Sequence, residues 1–198
     1  MNLLLSVLLL TTPLRMETGR FTIYQDGKKI GTEDFSITPR GGGYVVEGHT
    51  VISTPNQNAD LLSHMELNED LKPTLYQFTS PVGSVRLKIE SPISQLEYSF
   101  QGDKQTDDVR FPADGVIIDS NFFHHYAVLL YRLAGKSAST TVSAFAPQEL
   151  QVGPMKVQSS GNDTYEIDTG NLKVTATTDK DGRLIRLTVP DAKVVVER

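Results

Sequence analysis

Short runs of alternating apolar and polar residues, cut by turn residues about every 8 to 12 positions, restrict the fold of this chain more than any other feature. Arg20-Phe-Thr-Ile-Tyr-Gln25 alternates, Asp26-Gly27 is a type I′ hairpin signal, and Lys28 to Ile37 continues as a second strand. Gly41-Gly42-Gly43 turns the chain into Tyr44 to Ser53, and the polar stretch from Thr54 to Asn58, with Pro55, breaks that strand. Leu61 to Leu67, Thr74 to Ser80, Ser84 to Glu90, Gln95 to Gln101, Thr106 to Phe111 and Val116 to Ile118 follow. Further strands are expected at Ser139 to Ala146, Gln148 to Val152, Met155 to Ser159, Thr164 to Asp168, Leu172 to Thr178, Arg183 to Val189 and Lys193 to Glu197. A long antiparallel meander must curl or close to hide its apolar face and its edges.

One stretch breaks the pattern. Between Asp119 and Gly135, Phe122, Tyr126, Leu129 and Leu133 form an apolar row at helical spacing, and Phe123, Ala127, Leu130 and Ala134 form a second row beside it. The spacing predicts a helix over about 120–134. Asp119 or Ser120 is the expected N-cap, Gly135 the left-handed C′ residue, and Arg132 lies near the negative end of the helix dipole. The expected fold is therefore mainly β: a curved antiparallel meander, either an open barrel or a spiral β-roll, wrapped around one central α-helix.

The chain has 198 residues, 38% of them hydrophobic and 22% charged, which suits a single soluble domain. A formal net charge of -5, with no basic cluster interleaved with aromatics, argues against nucleic acid as a partner. Without cysteine there is no disulfide framework, thiolate metal site or cysteine nucleophile. Leu3 to Leu10 is apolar except for Ser6 and too short to cross a bilayer, which takes about 20 apolar residues. Residues 1–16 thus read as a signal peptide or apolar leader, although no Lys or Arg precedes the run; a buried or fraying helix is the rival. The expectation is one domain over 17–198, periplasmic or secreted, with no integral membrane span.

Candidate chemistry is sparse. His124 and His125 are adjacent, so on a helix their side chains point about 100° apart and cannot chelate one metal through a single face. Partners would have to come from His49, His64 or Asp119, and the simpler reading puts His125 with Asn121 and Arg132 on a polar helix edge. Neither a nucleophile elbow, a phosphate-binding loop nor a dinucleotide fingerprint is present, so no catalytic residue, metal or cofactor is nominated. Asp107-Asp108 and Glu33-Asp34 read as solvated acidic pairs, Asp179-Lys-Asp-Gly182 as a turn, and Asn162-Asp-Thr164 as a glycosylation sequon. Aromatics at Phe122, Phe123, Tyr126 and Tyr131 fit either a plain core or a lipid or amphipathic ligand held between helix and sheet. In the ligand reading, Phe122, His125, Tyr126, Tyr131 and Arg132 are the binding residues.

Two resemblances follow from longer strings. Phe21-Thr-Ile-Tyr-Gln-Asp-Gly-Lys-Lys-Ile-Gly31 and Leu71-Lys-Pro-Thr-Leu-Tyr76 resemble exported bacterial envelope domains of unknown function that form a spiral β-roll. Asp119-Ser-Asn-Phe-Phe-His-His-Tyr126, Ala146-Pro-Gln-Glu149 and Gly182-Arg-Leu-Ile-Arg-Leu-Thr-Val-Pro190 are similar to the β domain that precedes some bacterial α/β-hydrolase domains. The hydrolase portion is not in the sequence, so the likeness implies no catalytic residues. Three functions are expected in turn: a non-catalytic binder of an apolar or amphipathic ligand, an interaction module for a hydrolase or envelope protein partner, or a hydrolase or metalloenzyme using His124 or His125.

Overall fold

A computed structural model describes residues 16–55, 57–135 and 138–198 and joins all fifteen of its strands in one sheet. The leader reading falls outside the described residues except for Met16. Eight antiparallel strands come first: β1 Glu17–Gln25, β2 Lys28–Arg40, β3 Gly43–Thr54, β4 Gln57–Asn68, β5 Pro73–Ser80, β6 Gly83–Lys88, β7 Ser94–Phe100 and β8 Asp103–Val109. The short β9 Val116–Ile117 then leads to α1 His124–Leu133. After the helix come β10 Ser139–Ala146, β11 Gln151–Gly161, β12 Thr164–Asp168, β13 Lys173–Thr178, β14 Leu184–Val189 and β15 Val194–Glu197.

Sequence neighbours are sheet neighbours in each half, and pairing of β1 with β15 through Thr22↔Glu197 to Gln25↔Val194 joins the halves. The sheet ends at β8 on one side and β9 on the other, so the meander is open. β9 runs parallel to β10, an exception to the expected antiparallel pattern that arises because the helix returns the chain in the same direction.

Alternation sends one set of side chains inward. Phe21, Ile23, Phe35, Ile37, Val46, Tyr76, Leu87 and Leu96 are buried from the first half, and Met155, Val157, Ile167, Val174, Leu187 and Val196 from the second. The turns have the conformations their residues favour, with φ of 50° at Asp26 and 74° at Gly27, as a type I′ hairpin demands. The Asp179 turn is closed by its own carboxylate, which accepts the amides of Asp181 and Arg183 at 2.9 Å each.

Apart from strand ends that shift by a few residues, the helix start and β11 depart from expectation. The helix starts at His124 rather than near 120, because Asn121 takes a left-handed φ of 65° and breaks the turn. Its N-cap is Phe123, with no side-chain cap bond of its own, so neither Asp119 nor Ser120 caps it. Gln148 to Val152 and Met155 to Ser159 do not form two strands: β11 is continuous through Pro154. There β10 pairs on one side, but β12 pairs only from Lys156 onward, leaving an edge where a proline without an N–H is tolerated. At the other end of the helix Gly135 has φ of 74°, the left-handed conformation expected at C′.

Candidate functional site

The missing N-cap is supplied from a strand 90 residues earlier. Glu33 on β2 is 0% exposed, and its Oε2 and Oε1 accept the backbone N–H groups of Phe123 and His124 at 2.8 Å each. A carboxylate suits this place because the first-turn amides lack helical acceptors and carry the positive end of the helix dipole. Oε2 also accepts the Thr50 hydroxyl at 2.9 Å, and Oε1 accepts His124 Nδ1–H at 3.1 Å. With its proton on Nδ1, the ring offers Nε2 as acceptor to the Ser63 hydroxyl, 3.1 Å away. Ser63, His124 and Glu33 thus form a relay of hydroxyl, imidazole and carboxylate.

Three strands build this relay around one gap. Phe35, Gly48 and Ser63 are register partners across β2, β3 and β4. The His124 ring lies over Gly48, where an added Cβ would sit 2.2 Å from Cε1, and stacks against Phe35 with centroids 6.1 Å apart. Glycine is required there by the close approach of the imidazole.

A second buried group flanks the first. Asp119 accepts the Tyr76 hydroxyl at 2.5 Å and the amides of Ser120 and Gln148 at 3.2 and 3.1 Å. Burial raises the Asp119 pKa, against the opposing pull of those hydrogen bonds. Burial and then the adjacent Asp119 charge push the Tyr76 phenol well above its ordinary value. The Asp119 amide donates to His125 Nδ1 at 3.1 Å. Burial, with the neighbouring His124 ring as the smaller cause, holds His125 well below the usual histidine range. Gln148 Nε2 also donates to the Ser120 carbonyl at 3.1 Å, which joins the Asp119-Ser-Asn and Ala146-Pro-Gln-Glu stretches.

Each residue nominated from sequence has a definite place. Phe122 is buried edge-on against Phe78, 6.0 Å between centroids. His125 is 1% exposed and Arg132 is 9% exposed, so the polar-edge reading of these two is overturned; only Asn121 of that set is exposed. The edge is absent because the sheet covers the helix on more than its two apolar rows. Arg132 donates to the carbonyls of Gly115 and Asp114 at 2.6 and 3.2 Å, and burial lowers its pKa against the opposing Asp114 charge. Tyr126 is partly buried, with its phenol pushed up to about 12 by desolvation. The Tyr131 hydroxyl donates to Glu17, which also accepts Arg198.

His49 and His64 do not converge on the helix, since they point from the opposite face of the same strands. That outer face holds a groove of about 580 Å³ over β2 to β5. One register row across it is Asp34, His49, Leu62 and Thr79; the next is Ser36, Glu47, His64 and Gln77. His49 Nε2 lies 2.8 Å from Asp60, and His64 lies 3.6 Å from both Glu47 and Glu66. Arg20 holds Asp34 through two bonds of 2.6 and 2.8 Å. Leu62, 50% exposed, is an apolar spot on the groove floor. Among the described residues no group of three or more His, Cys, Asp or Glu side chains is placed to hold a metal ion. None of the described helices is long and apolar enough to cross a membrane.

Glu33 also corrects the reading of Glu33-Asp34 as a solvated pair: strand alternation sends Asp34 out to Arg20 and Glu33 into the core. Parity carries that signal, because Glu33 is in phase with Phe35 and Ile37, Gly48 and Thr50 with Val46 and Ile52, and Ser63 with Leu61 and Met65. No protein-family model, curated protein or solved structure matches the chain. Fold and site define its class as an open antiparallel β-meander fastened to a single helix by buried hydrogen-bonded carboxylates.

Proposed function

We propose that the protein is a non-catalytic, exported β-roll whose ligand is amphipathic and lies in the groove on the outer face of β2 to β5. The contrast in available space carries this reading: the outer groove measures about 580 Å³, whereas the cavity beside the helix between His125 and Arg132 measures about 10 Å³. An acyl chain does not fit in the latter, and ligand pockets for small organic molecules are about 300 Å³ or more. Leu62 offers the apolar contact, while Glu47, Asp34, Gln77 and Thr79 offer acceptors to a head group that donates hydrogen bonds. The earlier nominees Phe122, His125, Tyr126, Tyr131 and Arg132 then act by packing the helix. Export and the roll architecture rest on the apolar leader and on the resemblance of the Phe21–Gly31 and Leu71–Tyr76 strings to envelope domains.

The Ser63–His124–Glu33 relay has the connectivity of an activated hydroxyl, with nucleophile, base and orienting acid in order. Ser63 borders the outer groove, but it is only 5% exposed and its bond to His124 is buried, which favours a fastening role over attack on a substrate carbonyl. The relay fastens the helix. Native mass spectrometry of protein purified from its own envelope, followed by extraction, tests the binding reading. A co-purifying amphiphile that is lost in Leu62→Glu supports it; bare protein, or an amphiphile retained in that variant, refutes it.

A further inference from the structure

Among the described residues, His125 Nε2 is a buried side-chain nitrogen without a hydrogen-bond partner in the protein. Its tautomer follows from the other side of the ring. Nδ1 accepts the Asp119 amide at 3.1 Å, so Nδ1 is bare and the ring proton sits on Nε2. That leaves a buried donor in need of an acceptor, a costly state that native proteins rarely leave unrelieved. The neighbouring His124 has no such need, since both of its nitrogens are engaged by Glu33 and Ser63.

His125 also lines the small cavity beside the helix. Its volume of about 10 Å³ is close to that of one water-sized sphere, and is too small for any organic ligand. Met65, Leu67, Val116, Ile117 and Leu129 give it carbon walls, and Arg132 adds a second polar group. A purely apolar pocket of this size would stay dry, but the residues lining this one include His125, which carries an unpaired N–H, and Arg132, and they supply the polarity that holding a water requires. We propose that this cavity is a binding site for a single ordered water molecule that accepts the Nε2–H of His125, with Arg132 as the second polar neighbour. The two histidines then divide their work. His124 is satisfied wholly by side chains of the sheet, and His125 by one backbone amide and one water.

A competing arrangement sends Nε2–H toward the face of Tyr76, whose ring is 5.6 Å from that of His125 at 74°. That arrangement needs no water. A high-resolution crystal structure of the full chain, with a water-ROE spectrum of protein labelled with ¹⁵N at histidine, separates the two. The proposal expects a density peak about 2.7–3.2 Å from Nε2 and a cross-peak between the His125 ring proton and water. A dry cavity with Nε2 turned to Tyr76, or a ring with its proton on Nδ1, overturns it. The unmodified protein suffices for both measurements, so the result does not depend on a variant that folds.

Discussion

The two faces of strands β2, β3 and β4 carry similar residues to opposite ends. Inward, Glu33, Thr50 and Ser63 are buried and bonded to the helix start. Outward, Asp34, Glu47, His49 and His64 line an open groove and pair mainly with one another or with water-exposed partners. The difference is one of solvent rather than of residue type. A carboxylate in the core must find several donors, whereas its neighbour in sequence can rely on water. On these three strands the inward polar residues therefore fix the helix, while the outward ones lie along the open groove.

Breaking the inner face has the largest expected effect. Glu33→Ala leaves two helix amides, the His124 Nδ1–H and the Thr50 hydroxyl without their shared acceptor, and is expected to cost about 3–5 kcal/mol in urea unfolding. Gly48→Ala drives a methyl into the His124 ring; overpacking of this kind costs about 1–3 kcal/mol, and the effect shrinks if His124 is also replaced by alanine.

The strand periods and the single helix were legible because alternation and helical spacing are properties of local sequence. Parity could have marked Glu33, Gly48 and Ser63 as inward, but Glu33 reads with Asp34 as a solvated pair because adjacent acidic residues ordinarily face water. What remained hidden was the partnership: Glu33 meets His124 across 91 positions, and only the assembled sheet makes that contact. Asn121 shows the same limit at short range, since a left-handed asparagine ended the expected first helical turn although no nearby glycine or proline marks the break. The polar-edge reading of His125 and Arg132 failed because both make hydrogen bonds to main-chain groups of the segment before the helix, which let them enter the core.

Acid titration sharpens the comparison. His125 folds with a depressed pKa, so its contribution is complete above its unfolded value of about 6.5 and is lost as the pH falls toward the folded value. Unfolding free energy should fall by about 1.4 kcal/mol per pH unit there, the slope of one proton. Asp119 has the opposite sign: its raised value makes its share grow as the pH falls through it, which flattens the curve at lower pH. Replacing His125 by phenylalanine should remove the slope, whatever the absolute stability of the variant.

Smaller changes complete the series. Ser63→Ala removes one neutral hydrogen bond and should cost about 1 kcal/mol. On the outer face Gln77→Ala should change stability by less than about 0.5 kcal/mol, because nothing in the core depends on it.

Amide chemical-shift mapping during titration with dodecyl maltoside, kept below its micelle concentration, tests the division of the two faces most directly. The account predicts shifts confined to the outer strand positions around Glu47, His49, Leu62, His64 and Gln77. Shifts centred instead on Phe122, Tyr126 and Tyr131 would place the ligand between helix and sheet and contradict it.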